Sequence, residues 1–300
     1  MRISIVTLAL DLPRYLDEAL GSVEADPSLE LEHLIVHDGH ETAFESLVQR
    51  YPHIRFIRGQ GAGATPAAVL GIQAATGDFI LLLHGDDRLV PGALKALAAA
   101  ASNRPDVKIW SGRMRIFQIL PDGREVTVRL ISTPDATRMS IGNVCDDIPL
   151  LTARFVRATV YSEIGNFDPA FPESSDREFM LRAVMANVPE APLGVIVSEM
   201  RMHEESRTLH RRSGWIPPYL QEHLRIADLW LKRPAVSRPV RRSLRNWRAR
   251  ESLRLAFYQY RTGHWRDALG LLRESNGADP LWIFRIGSVF VARRRRYRNK

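Results

Sequence analysis

The sequence predicts an α/β protein: a mostly parallel sheet flanked by helices, followed by a C-terminal helical extension. Three observations predict it. Apolar strand-like runs alternate with helical spacing over the first hundred residues, in the order β-α-β-α-β-α-β, which implies a doubly wound parallel sheet. The run Phe79-Ile80-Leu81-Leu82-Leu83 is uninterrupted and bounded by turn signals, as suits a strand covered on both faces. It ends at once in His84-Gly85-Asp86-Asp87, two adjacent carboxylates at the carboxyl end of a strand, where open α/β sheets bind ligands. Past residue 205 the pattern changes to Arg-rich helical spacing.

The elements follow in order. Ile3–Thr7 reads as the first strand, and Pro13–Val23 as a helix with Tyr15, Leu16, Ala19, Leu20 and Val23 on one face. Leu34–Val36 forms a second strand that ends in His37-Asp38-Gly39, followed by a helix over Ala43–Arg50. Ile54, Phe56 and Ile57 mark a third strand. The Gly59–Gly63 stretch lacks the Lys-Ser/Thr of a P-loop and reads as a flexible connection. Pro66–Ala75 is a helix leading into the Phe79 strand, and Leu94–Ser102 is the helix after it. Val107–Ile119 and Glu125–Ile131, split by Pro121-Asp122-Gly123, read as a hairpin beside the sheet. Phe155–Ser162 reads as a strand, and Val195–Met202 as the last one. Ser175–Ala186 is a helix, with Ser175 and Glu178 spaced as a capping box.

Charge divides the chain. Residues 1–200 hold 18 Lys/Arg against 26 Asp/Glu, and residues 201–300 hold 24 against 8. An acidic body with a basic extension points to an anionic partner for the extension. No recognition motif accompanies that charge, so nucleic acid is not the expected partner. The single Cys145 excludes an internal disulfide and fits a reducing, cytoplasmic compartment. Tyr219–Leu231, Arg241–Arg261 and Trp265–Glu274 have helical spacing. Leu281–Ala292 is apolar except for Arg285 and too short to span a bilayer as a helix. With the arginines that follow, residues 281–300 suit a peripheral position at the inner face of the cell membrane. The division expected is 1–205 for the α/β domain and 206–300 for the basic extension.

Several motifs, in order, resemble the family 2 glycosyltransferases of GT-A, Rossmann-like fold. They are Ser4-Ile5-Val6-Thr7, His37-Asp38-Gly39, the Gly71–Asp78 segment, Leu83-His84-Gly85-Asp86-Asp87 with Pro91-Gly92-Ala93-Leu94, Gly165-Asn166-Phe167-Asp168, and Asp176–Arg182. The resemblance covers about residues 3 to 205. It implies an inverting, metal-dependent transfer of a hexose from a nucleotide-diphosphate sugar, with a UDP-sugar expected. The expected acceptor is a saccharide or lipid-linked glycan of cell-surface polysaccharide or lipopolysaccharide synthesis.

The resemblance also implies roles. Thr7 and Asp38 cradle the base and ribose, the carboxylate selecting an N–H edge because it only accepts. Asp87 binds Mn²⁺ or Mg²⁺, and Asp86 contacts the ribose or the metal. Asp176 is the base that deprotonates the acceptor hydroxyl. His203 lies near the diphosphate or the metal. Two departures stand out: His84 replaces an expected Asp, and Ser175 precedes Asp176 where the family has a carboxylate. They leave open a catalytically silent member that binds nucleotide-sugar or scaffolds an assembly complex. Asp176 also has a plain structural reading, because a carboxylate in a first helical turn favours the helix dipole.

Overall fold

The computed structural model describes residues 1–9, 14–23, 28–39, 46, 48–147, 150–204, 206 and 216–279. These fall into two compact units, one of residues up to 144 with 150–206, the other of 145–147 with 216–279. The expected membrane-interface tail, 281–300, lies outside the described residues, as does half of the Ala43–Arg50 helix. Among the described residues, no helix is long and apolar enough to cross a membrane.

The first unit is built on one nine-stranded sheet. Its strands are β1 (Arg2–Ala9), β2 (Glu30–His37), β3 (Arg55–Arg58), β4 (Phe79–His84), β5 (Arg88–Leu89), β6 (Ile109–Ile119), β7 (Glu125–Ile131), β8 (Arg154–Arg157) and β9 (Glu190–Arg201). Their order is β3-β2-β1-β4-β8-β6-β9-β5, with β7 on β6. The first four strands are mutually parallel, as the alternating pattern predicts. Period-two geometry sends alternate side chains to opposite faces. Ile3, Ile5, Phe79, Leu81 and Leu83 join a core that includes Leu94 and Leu97 of the Ala93–Asn103 helix. On the other face, the Ala64–Ala74 helix packs down through Gly71, where an added Cβ would lie 2.3 Å from Val6 Cγ1 and 2.9 Å from Val36 Cγ2.

A buried polar cluster holds the turn that launches β4. Ser4 Oγ donates to Glu32 Oε2 at 2.5 Å and accepts from Gly77 N at 2.9 Å, while Thr76 N donates to Glu32 Oε2 at 2.8 Å. Burial pushes the Glu32 carboxyl up, but the Ser4 hydroxyl, the Thr76 donors and nearby Arg2 leave it below the ordinary range. The start of β4 is therefore fixed by side chains from β1 and β2.

The middle of the chain differs from the sequence reading in two places. The β6–β7 hairpin forms, with Gly123 at φ +83 in its turn. It is not an insertion beside the sheet, because β6 pairs parallel with β9 and antiparallel with β8. The expected strand over Phe155–Ser162 is a four-residue strand, β8, that passes into a helix over Ala158–Glu163. Val160 and Tyr161 bury from that helix, and Tyr161 stacks on Phe179 at 5.0 Å. Packing on this aromatic cluster overrides the β-propensity of Thr159, Val160 and Tyr161.

In the second unit, helices Ile216–Leu231, Arg238–Arg261 and Trp265–Ala278 pack around Leu220, Leu224 and Leu255. Trp247 and Glu251 are fully buried there. Arg250 and Arg254 ion-pair with Glu251. These pairs and His223 hold the Glu251 carboxyl well below its ordinary range against the pull of burial.

Gly71→Ala tests the close approach of helix and sheet. We expect it to lower stability by about 1–3 kcal/mol, the usual range for overpacking, measured as a shift in the urea midpoint. An unchanged midpoint would mean that Val6 and Val36 can give way.

Candidate active site

β4 and the residues after β9 bring the site together. At the end of β4, Gly85 N donates to Leu8 O at 2.9 Å and Asp87 N to His84 O at 3.1 Å. The chain therefore folds into a tight turn that sends Asp87 inward. Asp87 is almost fully buried. Its Oδ1 accepts the Arg201 backbone N–H at 2.9 Å. Its Oδ2 has no hydrogen-bond partner among the described residues, and His84 Nδ1 stands 3.6 Å away. Asp86 Oδ2 meets His203 Nε2 at 2.9 Å. One atom each from His84, Asp86 and Asp87 fall within 4.8 Å of one another.

The electrostatics of the cluster follow from burial. Burial raises the Asp87 carboxyl, and the Asp86 charge adds to that; His84 and the Arg201 N–H oppose without prevailing. Burial raises Asp86 too, but the His203 hydrogen bond and the nearby His84 outweigh it and leave Asp86 low. Desolvation lowers the His84 imidazole, yet Asp87, Asp86 and Asp176 bring it up to about 9. Asp176 lies at the start of the Ser175–Met185 helix. Burial pushes its carboxyl up, against the Arg177 cation, the Arg177 N–H at 2.6 Å and the field of His84. A carboxyl held above its ordinary range is suited to taking up a proton near neutral pH.

The donor set of two carboxylates and an imidazole, with one buried carboxylate oxygen unpartnered, fits a hard divalent cation such as Mn²⁺ or Mg²⁺.

Thr7 and Asp38 have other engagements. Thr7 is fully buried, and its hydroxyl meets His33 Nε2 at 2.9 Å. Burial and the His53 charge lower the His33 imidazole to about 4. Asp38 accepts from Gly61 N through Oδ1 and from Gly63 N through Oδ2, both at 2.7 Å. The Gly59–Gly63 stretch is therefore not a loose connection. Its glycines at φ +70 and +95 turn two N–H groups onto one carboxylate. Gly59 sits so close that an added Cβ would lie 2.1 Å from Asp38 Oδ1.

The capping box expected of Ser175 and Glu178 does not form. Ser174 occupies the cap position. The Ser175 hydroxyl lies 2.7 Å from Thr65 Oγ1, which also donates to Pro172 O at 2.9 Å. Glu178 instead receives Arg182 at 2.7 Å, an i,i+4 pair. Arg182 also donates to the carbonyls of Gly165 and Asn166, at 2.8 and 2.7 Å, so it holds the Gly165–Asp168 turn.

Sequence reasoning passed over Arg201. Its backbone N–H binds Asp87, its Nε donates to Asp86 O at 3.2 Å, and its Nη2 pairs with Glu18. The guanidinium lies over Tyr15 at 4.1 Å and Phe117 at 4.7 Å. The only signal was an Arg at the end of an apolar strand, which is common on any edge.

Fold and site together define an α/β protein with an acidic site, suited to a divalent cation, at the carboxyl ends of its parallel strands. The model of glycosyl transferase family 2 matches residues 4–158, half of the chain, and the chain belongs to that family. Its fold is the GT-A fold expected from the motifs. Over 125 residues it is 26% identical to a protein described as uncharacterized glycosyltransferase YibD, from Escherichia coli (strain K12), a match that takes in 38% of this chain and 36% of that one. Among solved structures, S. aureus TarS 1–349 in complex with UDP-GlcNAc superposes with a TM-score of 0.65 at 18% identity, covering 90% of this chain and 80% of that one. A longer TarS structure gives 0.61 at 17% identity, covering 83% of this chain and 43% of that one. The chain thus spans well under two thirds of the E. coli relative and of the longer TarS.

Arg201→Met removes the guanidinium and keeps its apolar stem. We expect a loss of about 1–3 kcal/mol, the usual range for leaving buried polar partners unpaired, measured by urea unfolding. A loss below about 0.5 kcal/mol, within the range of ordinary surface changes, would mean that the Asp86–Asp87 turn holds without it.

Proposed function

We propose that this chain is an inverting glycosyltransferase that moves a sugar from a UDP-sugar to a saccharide or lipid-linked acceptor, in cell-surface polysaccharide or lipopolysaccharide synthesis. One observation carries the reading: His84, Asp86 and Asp87 converge at the end of β4, within the field of a half-buried Asp176. Family membership supports a nucleotide-sugar donor. UDP is favoured because TarS, which shares the fold, is known with UDP-GlcNAc and with UDP bound.

In this reading Asp87 and Asp86, with His84 beside them, hold Mn²⁺ or Mg²⁺. When bound, the ion neutralises charge that builds on the departing diphosphate. His203 orients Asp86 through its 2.9 Å contact. Asp38 contributes to the nucleotide site with the lone pairs left after its two backbone bonds, since an ionised carboxylate has about four acceptor positions. Thr7 acts beneath it, holding β1 to β2 through His33. Asp176 takes the proton from the acceptor hydroxyl as that oxygen attacks the anomeric carbon on the face opposite the diphosphate. One bond forms, one breaks, and the proton ends on the carboxylate.

The basic extension supports an anionic setting for the acceptor, and residues 281–300 would hold the enzyme at the inner membrane face. Deleting 281–300 is expected to release the protein from anionic vesicles in a sedimentation assay. Unchanged partition would remove the tail from the proposal.

Two substitutions separate the roles at the site. Asp87→Ala should abolish Mn²⁺-dependent UDP binding by calorimetry. Asp176→Asn should leave UDP binding within about twofold and lower transfer by about 10²–10⁴-fold, the usual contribution of a general base. Normal transfer by Asp176→Asn would overturn the base assignment. No UDP release from any donor and acceptor pair would favour the silent, nucleotide-sugar-binding alternative. The base works deprotonated, and burial raises its pKa. Transfer by the wild type should therefore fall on the acid side at a pH above the ordinary aspartate range. A limb at the ordinary value would mean that Asp176 is solvated in the working enzyme.

A further inference from the structure

The second unit holds a cavity of about 200 Å³ among its three helices. Lys232, Arg241, Arg245 and Arg248 line it, with Asp228 and Asp279. The four cations are not equivalent. Arg248 is largely buried, and it is neutralised by Asp228 Oδ1 at 2.6 Å and Glu274 Oε1 at 3.4 Å. Arg241 donates to the carbonyls of Leu231 and Arg233, closing the end of the Ile216–Leu231 helix. Lys232 and Arg245 have no ion pair or side-chain hydrogen bond among the described residues, and both are exposed at the rim. Two fixed arginines thus make the wall, and two cations without a direct ion pair stand over it, with the Asp279 carboxylate also on the lining.

We propose that this cavity is a phosphate-binding site, taking the phosphate of a lipid headgroup or of a phosphorylated glycan. Three features favour a phosphate over a simple counter-ion. The cavity is concave and roomy: a water's share of liquid volume is about 30 Å³, so a phosphate fits with its first waters. Arg245 offers the planar fork that matches two phosphate oxygens, and Lys232 a point charge for a third. The wall is already rigid, because Arg248 ties the three helices through Asp228, Glu274 and the Ser275 hydroxyl at 3.4 Å. The ordering that opposes binding is therefore confined to the two rim side chains. The pocket lies wholly within the second unit, so it stands whatever chemistry the first unit performs.

The test uses the full chain and two variants with the same charge change. Lys232→Gln/Arg245→Gln removes the rim cations. Arg242→Gln/Arg273→Gln removes two exposed cations that do not line the cavity. All four side chains are exposed, so both variants should fold, which thermal unfolding checks. Inorganic phosphate is titrated against each protein and followed by amide shifts in the NMR spectrum. We expect saturable shifts around residues 232, 241, 245 and 248, weakened at least tenfold in the rim variant and less than twofold in the control. Equal weakening in both variants would mean diffuse attraction only and overturn the site. So would the absence of saturable shifts in the wild type at tens of millimolar phosphate. A parallel arm measures binding to phosphatidylglycerol vesicles with residues 281–300 deleted from every variant, so that the tail does not mask the site. A fall specific to the rim variant assigns the phosphate to a lipid headgroup. Unchanged vesicle binding alongside lost inorganic-phosphate binding assigns it to a phosphorylated glycan.

Discussion

The site depends on one buried cation reaching two adjacent acidic residues. Arg201 ends β9 and binds the Asp86–Asp87 turn twice, through its own N–H on Asp87 and its guanidinium on the Asp86 carbonyl. Two neighbouring aspartates repel, and burying one of them makes the repulsion worse. Without a compensating group, the turn would open to water. His84, His203 and the Arg201 N–H supply that compensation, while the guanidinium fixes the turn through the Asp86 carbonyl, with Tyr15 and Phe117 lying over it. Glu18, reaching from the Leu16–Gly21 helix, holds the outer edge of the same guanidinium. Three elements far apart in sequence are thus fastened at one point.

That fastening works only because β9 runs where it does. β9 lies parallel to β6 and also pairs with the short β5 just after the acidic turn. Arg88 of β5 pairs with Glu18, Glu125 and Glu199, and Arg115 of β6 pairs with Glu125 and Glu199. A lattice of alternating charges therefore surrounds the end of β9. Single exposed pairs contribute little, whereas a network held by a sheet loses less side-chain entropy on forming. The lattice sets the angle at which Arg201 approaches Asp87, and His203, two residues further on, meets Asp86.

The parallel half of the sheet was legible because its strands are apolar without interruption and its helices lie between them. The acidic turn was legible for the same reason, since a carboxylate pair stands out against five buried apolar residues. The Arg182–Glu178 pair could be read from its i,i+4 spacing. What could not be read is non-local. The pairing of β6 with β9 joins residues about eighty positions apart, and no local period records it. The helix after β8 is chosen by contact with Phe179 and not by its own residues. Arg201 looked like a strand-edge charge, and Asp38 like a free carboxylate, because a sequence does not say which backbone N–H groups will turn toward a side chain. The Gly59–Gly63 stretch shows the point well: a Gly-rich segment read as slack becomes ordered once Asp38 gathers two of its amides.

The remaining imbalance of charge is informative. Asp86, Asp87 and Asp176 face one region, against His84, His203 and the N–H of Arg201. The Arg201 guanidinium is already engaged by Glu18, so it cannot fully offset a second carboxylate. The protein meets this by splitting the pair: Asp86 is held low by His203 and His84, and Asp87 is held high by burial. A carboxylate raised by burial is stabilised most by a compact positive charge brought to its unpartnered oxygen, and Asp87 Oδ2 is that oxygen. The frame fixes the positions of these groups but leaves their charge unbalanced, the condition under which binding of a cation, as proposed, would release protons and be favoured by rising pH. His84, standing where a third carboxylate was expected, makes the same site less acidic and ties its affinity to protonation of an imidazole as well.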